Sequence, residues 1–208
     1  MALRRRLRKL GTRRPGGFIR VIFETKVTED RYFAQFCKRG SPLKIEKTEM
    51  PIVSMLGMLA QEAETHDQIA QIVSGWDQGY DVLWYVCDCD FKDKRDEVAK
   101  RKKLTNLLKV AAKSNANIRI AISNHSFEAW LLLHFEAFSC SLSQDDLEER
   151  LAKHMGKPYS KTEFDVDPLK DKVREAVKRA RKLTPTSDKI PPNPGTTVWA
   201  LVEGLIGK

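Results

Sequence analysis

The chain is poor in cysteine, has no long apolar run and carries no glycine-rich phosphate loop, and each shortage removes a class of protein. Its four cysteines, Cys37, Cys87, Cys89 and Cys140, form no disulfide framework in 208 residues. Cys87 and Cys89 stand too close together to be half of a usual zinc ribbon, and no second Cys or His pair has matching spacing. They read as the reduced thiols of a cytoplasmic protein. No apolar stretch approaches the ~20 residues that span a bilayer, and the longest, around Trp130–Phe135, is interrupted by His134. The first residues, MALRRRLRKLGTRR, lack the apolar segment of a secretory signal, so neither export nor membrane contact is expected. The missing Walker-type loop excludes ATP as a fuel by that route, and no serine sits in a nucleophile-elbow context. Acidic residues are absent before Glu24.

What is present is positive charge. The net charge is +9, concentrated in Arg4, Arg5, Arg6, Arg8, Lys9, Arg13 and Arg14, then in Lys92 to Lys103 and Lys170 to Lys182. Blocks of this kind suit phosphate backbones and give salt-dependent binding. The N-terminal block, with no acidic residue among it, reads as a nucleic-acid arm; in the other two, interspersed Asp and Glu also fit solvated helix faces. Arg4, Arg5, Arg6, Arg13, Arg14, Lys26, Lys102 and Lys103 are the expected nucleic-acid contacts. The length suits one domain: a basic arm over 1–17, an α/β core over 18–137 and a helical extension over 138–208 packed on that core.

The organising stretch is YDVLWYVCDCDF, residues 80–91. An unbroken apolar, β-favouring run reads as a strand buried on both faces, typical of a parallel sheet. It ends at Asp88 and Asp90, which strand alternation would point the same way. Paired carboxylates repel unless a cation lies between them, and hard oxygen ligands suit Mg²⁺ or Mn²⁺. The plainer reading is a solvated loop capping the next helix.

Around it, the residues predict a strand at 18–23 ending in Glu24, and a helix over 29–36 with Thr28 as N-cap. A weaker strand follows at 43–46, then helices over 55–74 and 96–112 and a strand at 118–122. A helix over 125–135, capped by Ser126, places Glu128 in its first turn, and His134 on it reads as a core histidine or a site residue. Further helices are expected over 144–155, 167–183 and 197–206, with 187–195 a proline-rich connector. The alternation predicts a largely parallel four-stranded sheet flanked by helices. Glu24, Asp88 with Asp90, and Glu128 then all follow strand ends, where ligands of open α/β sheets bind.

The segments FETKVTEDRYF, CDCDF, SNHSFEAWLLLHF, PYSK and NPGTTVWALVEGL, in this order along nearly the whole chain, resemble the RloB-like family. That resemblance implies a TOPRIM-like fold related to the OLD-type nucleases, a place in anti-phage defence and an ATPase partner of the ABC/AAA type; a homo-oligomer is left open. It matches Glu24 to the first acidic position and Asp88 and Asp90 to the Asp-x-Asp pair, with Glu29, Glu128 and Lys161 in the further places. The implied activity is metal-dependent phosphodiester cleavage of RNA such as tRNA, or of DNA. Asp88 and Asp90 would hold one ion with Glu24 sharing it or acting as general base, Glu29 and Glu128 a second, and Lys161 would stabilise developing charge. The alternative is a non-catalytic nucleic-acid-binding or regulatory subunit of an ATPase-containing complex. Two departures touch the turns: Thr25 stands where the family has glycine, and His125 where it has proline.

Overall fold

Strand β3 (Val82–Asp88) is buried from Leu83 to Cys87, as its unbroken apolar run requires. It is central in a computed structural model that describes residues 19–24, 27–37, 43–49, 51–52, 54, 82–91, 93–113 and 118–206, with side chains excepted at 43–49. The expected arm with Arg4, Arg5, Arg6, Arg13 and Arg14, the positions Thr25 and Lys26, and the helix over 55–74 lie outside the described residues.

The other strands are β1 (Ile19–Phe23), β2 (Leu43–Glu49), β4 (Ile118–Asn124) and β5 (Gly195–Thr196), in spatial order β2-β1-β3-β4-β5. The first four run parallel; β5 pairs antiparallel with β4. The α/β class and the mostly parallel sheet are thus as the alternating pattern predicts. The fifth strand is not: the connector ends in a two-residue strand that covers the edge of β4. Its threonines hold it there. Thr197 donates its backbone N–H to Ile122 O (2.8 Å), its hydroxyl accepts from Ile122 N (2.8 Å), and Thr196 and Ser123 hydroxyls meet at 3.1 Å.

Alternation along the strands divides the core into two layers. Val21, Phe23, Trp84, Val86 and Ala121 face one side. There they meet α1 (Val27–Ala34), α3 (Phe127–Leu132), α4 (Gln144–Met155), α5 (Asp167–Lys170), α6 (Val173–Leu183) and α7 (Val198–Ile206). Ile22, Leu83, Tyr85, Cys87, Ile120 and Ile122 face the other, against Leu104, Leu107 and Ala111 of α2 (Lys94–Lys113). Each fully buried aliphatic or aromatic side chain contributes roughly 1.5–3 kcal/mol. Trp84 and Tyr85 belong to this core.

Local chemistry sets the helix ends. Ser143 and Asp146 form a reciprocal capping box at α4, and Gly156, at φ 68°, ends it in the left-handed region. The single helix expected over 167–183 is two, α5 and α6, with Asp171 and Lys172 between them. Helix α1 begins at Val27, so Thr28 lies inside it and its hydroxyl is spent elsewhere. Ser126 occupies the N-cap position of α3, but its side chain makes no capping bond. The Asn124–His125 and Asn193–Pro194 peptide bonds are cis.

Candidate active site

Because β1, β3 and β4 are neighbours in the sheet, the acidic residues after each of them come together at one edge. Backbone pairing carries the alignment past the strands: Glu24 N donates to Val86 O (2.9 Å), Cys89 N to Ser123 O (2.8 Å) and Asp90 N to His125 O (3.0 Å). Glu29 reaches the same place from α1, where it is buried.

Asp88 is the centre. Its Oδ2 accepts the Phe127 backbone N–H at 3.1 Å, so a carboxylate from β3 occupies the N-terminus of α3, the role expected of Ser126. Its Oδ1 is buried with no hydrogen-bond partner. Burial pushes the Asp88 carboxyl well above its usual value, and Glu29, Glu128 and Glu24 push it further, against the lowering effect of the Phe127 amide. Glu24 is also raised, by burial first and by Asp90 in addition, while Lys100 of α2 and the Asp88 amide oppose the rise.

Glu128 is treated differently. It is buried, and burial works to raise its pKa, yet Lys161, Ser126 and Tyr159 together hold it below the ordinary carboxylate value. Its Oε1 accepts from the Tyr159 hydroxyl at 2.9 Å and from the Thr28 hydroxyl at 3.3 Å, and Lys161 Nζ lies 3.7 Å away. Lys161 is shared with Glu148 at 3.9 Å. The site therefore holds one carboxylate fixed as an anion and a second, Asp88, whose charge is strongly disfavoured.

Asp90 departs from expectation. It lies beyond the end of β3, at φ 28°, with an exposed side chain 3.9 Å from His125 Nδ1. Alternation no longer applies there, so Asp88 and Asp90 do not present a parallel pair; Asp90 stands on the rim. His134 sits away from these groups. Its Nδ1 donates to the Trp130 and Leu131 carbonyls (3.1 and 3.2 Å), its Nε2 accepts from the Tyr32 hydroxyl (3.1 Å), and burial lowers its pKa to about 4. It is a neutral core histidine. Lys102 and Lys103 are on the outward face of α2.

The sequence reading missed Thr28, Tyr159 and Lys100. Tyr159 stands two residues before Lys161 in the PYSK segment, and Lys100 belongs to a basic block; only packing distinguishes them from their neighbours.

The donor chemistry fits a hard divalent cation: oxygen ligands only, one buried carboxylate oxygen without a partner, and neighbouring carboxylates that raise Asp88 and Glu24. Among the described residues, no group of three or more His, Cys, Asp or Glu is drawn together in a form that would hold an ion. Nor is any described helix long and apolar enough to cross a membrane.

Fold and site together define an α/β protein with a mostly parallel sheet and a cluster of carboxylates at the carboxyl ends of its strands. The chain belongs to the RloB-like protein family, whose family model matches residues 19–205. No curated protein and no solved structure matches it.

Proposed function

We propose that the chain is a divalent-metal-dependent nuclease of the TOPRIM type, cleaving phosphodiester bonds of RNA such as tRNA, or of DNA, in anti-phage defence. The observation that carries this reading is Asp88: a buried carboxylate with one orphaned oxygen, set among Glu24, Glu29 and Glu128. Such an arrangement is unfavourable until positive charge enters it. Asp88 with Glu24 would hold Mg²⁺ or Mn²⁺, which would supply Lewis acidity toward a phosphoryl oxygen. Asp90 faces arriving substrate from the rim. Glu24, with its raised pKa, is suited to accept a proton from water as the water oxygen bonds to phosphorus. The ester oxygen departs with the P–O bonding pair and is protonated from solvent. Lys161 stands ready to offset negative charge, provided that substrate draws it from Glu128 and Glu148. An ATPase of the ABC/AAA type, encoded by a separate chain, is the partner this reading expects.

The test incubates the protein with labelled total tRNA, single-stranded RNA and duplex DNA in Mg²⁺ or Mn²⁺, beside an Asp88→Asn variant and an EDTA lane. The expected result is cleavage abolished by both. Cleavage that survives Asp88→Asn overturns the assignment. A second reading, a non-catalytic nucleic-acid-binding or regulatory subunit, is favoured by the saturation of Glu128 Oε1 by Tyr159, Thr28 and Lys161. It predicts no cleavage and no calorimetric signal for metal.

A further inference from the structure

The two basic helices of the chain differ in a way their compositions do not reveal. On α6 and its approach, cations are engaged: Lys178 pairs with Glu175, Arg181 with Glu203 while covering Trp199, and Arg179 donates to Leu133 O. Lys170 of α5 pairs with Asp167. On α2 the acidic residues are confined to the start. Asp93 accepts the Arg95 and Asp96 amides, and Glu97 pairs with Arg101 at 2.8 Å. From Val98 to Lys113 the helix contains no carboxylate. Lys102, Lys103 and Lys109 are exposed, and none has an ion-pair partner among the described residues.

Those lysines are also placed together. With Thr105 and Asn106 they line a groove of about 530 Å³ on the outward face of α2, and among the described residues that line it there is no carboxylate. The opposite face of the helix is anchored on the sheet by Leu104, Leu107 and Ala111, so the row is rigidly held. Near its start the same helix approaches the carboxylates from its sheet-facing side, where Lys100 acts on Glu24 and Arg101 lies over Phe91. Lys102 to Lys109 rises about 10 Å along the outward face, enough for about three phosphates of one B-form strand.

We infer that the outward face of α2 is the track on which a nucleic-acid backbone lies, with Lys102, Lys103 and Lys109 contacting phosphates. The occupant is a phosphate backbone because the described lining residues supply flexible cationic donors and neutral hydrogen-bonding groups, with no carboxylate among them to compete for the ammonium groups. This rests on the reading that the chain acts on nucleic acid, and it names the surface and register of that contact. Recognition along this face is sequence-independent, since ammonium groups on phosphates carry no base information.

The test measures binding of fluorescein-labelled RNA and DNA oligonucleotides, single-stranded and duplex, by anisotropy in EDTA, between about 50 and 200 mM salt. The full chain is compared with Lys102→Gln/Lys103→Gln/Lys109→Gln and with Lys170→Gln/Lys178→Gln/Lys182→Gln, which removes the same charge from α5 and α6. Circular dichroism checks that both fold. The α2 variant is expected to weaken binding roughly tenfold or more and to lower the salt slope by about 2–3; the control keeps the wild-type slope, and Lys→Arg at the three α2 positions restores binding. An unchanged slope in the α2 variant, or equal losses in both triple variants, overturns the inference. Without metal no cleavage enters the readout, so the track can fail while the nuclease reading stands, and the reverse.

Discussion

The Tyr159 hydroxyl donates to Glu128 Oε1 at 2.9 Å, so a residue that follows α4 fixes a carboxylate carried by α3. A buried hydrogen bond to a charged acceptor is worth about 1.5–3 kcal/mol. Tyr159→Phe should lower the denaturation free energy by about that amount at neutral pH. Glu128 has a folded pKa below 4.5, so its stabilisation is present above that value and is lost as pH falls through the lower one. The gap between wild type and variant should therefore close in acid, as urea titrations at several pH values will read.

Asp88 has the opposite sign. Its folded pKa lies well above 3.8, so its contribution is greatest below that value and is lost as pH rises through the folded pKa. Asp88→Asn should be more stable than wild type at neutral pH, by about 2–4 °C in Tm for each 1 kcal/mol relieved, and the advantage should vanish near pH 3.8. Added Mg²⁺ or Mn²⁺ should raise the Tm of wild type and leave that of the variant unmoved. Thermal melts with and without metal check both statements. A variant less stable than wild type at neutral pH would contradict the electrostatic account of the site.

His134 should stay neutral far into acid. With a pKa near 4 against 6.5 in the unfolded chain, its stabilising effect is present above 6.5 and lost as pH falls through 4. The full loss is about 3 kcal/mol. Its ring resonances should not titrate between pH 7 and 5, and His134→Asn should flatten the pH dependence of stability over that window.

Gly195 should not tolerate a side chain. A Cβ there would stand 2.7 Å from Pro192 O and from the Thr184 hydroxyl. Gly195→Ala should cost about 1–3 kcal/mol, the usual range for overpacking, and should loosen β5 from β4. Hydrogen exchange at Thr197 N, which donates to Ile122 O, reports that loosening directly.

Much of this architecture was readable before any coordinates. Strand β3 followed from an apolar run closed by polar residues, because only a segment covered on both faces can be apolar throughout, whereas β2 was legible only as a weaker strand at 43–46. The strand-end positions of Glu24, Asp88 and Glu128 followed from the same pattern. Where the reading failed, a second chain segment had intervened. Thr28 looked like a helix cap because its neighbours are acidic, but α1 starts earlier and the hydroxyl serves Glu128. Asp90 looked like a partner of Asp88, yet the chain has left the sheet by then and turns it outward.

What composition and periodicity settle is the local menu: which segments bury a face, which carry charge, and which carboxylates end strands. These are properties of neighbours in sequence, governed by side-chain alternation, propensity and turn chemistry. What only the tertiary structure decided is which of those groups share a space. Sheet order sets β1, β3 and β4 side by side, burial makes the Asp88 charge costly, and Tyr159 and Lys161 arrive to hold Glu128 as an anion. The same holds for charge. The basic runs on α2 and α6 read alike in the sequence; packing engaged Arg179 and Arg181 of one and left Lys102, Lys103 and Lys109 of the other exposed. Electrostatic energy depends on distance and burial, and neither is a local property of the chain.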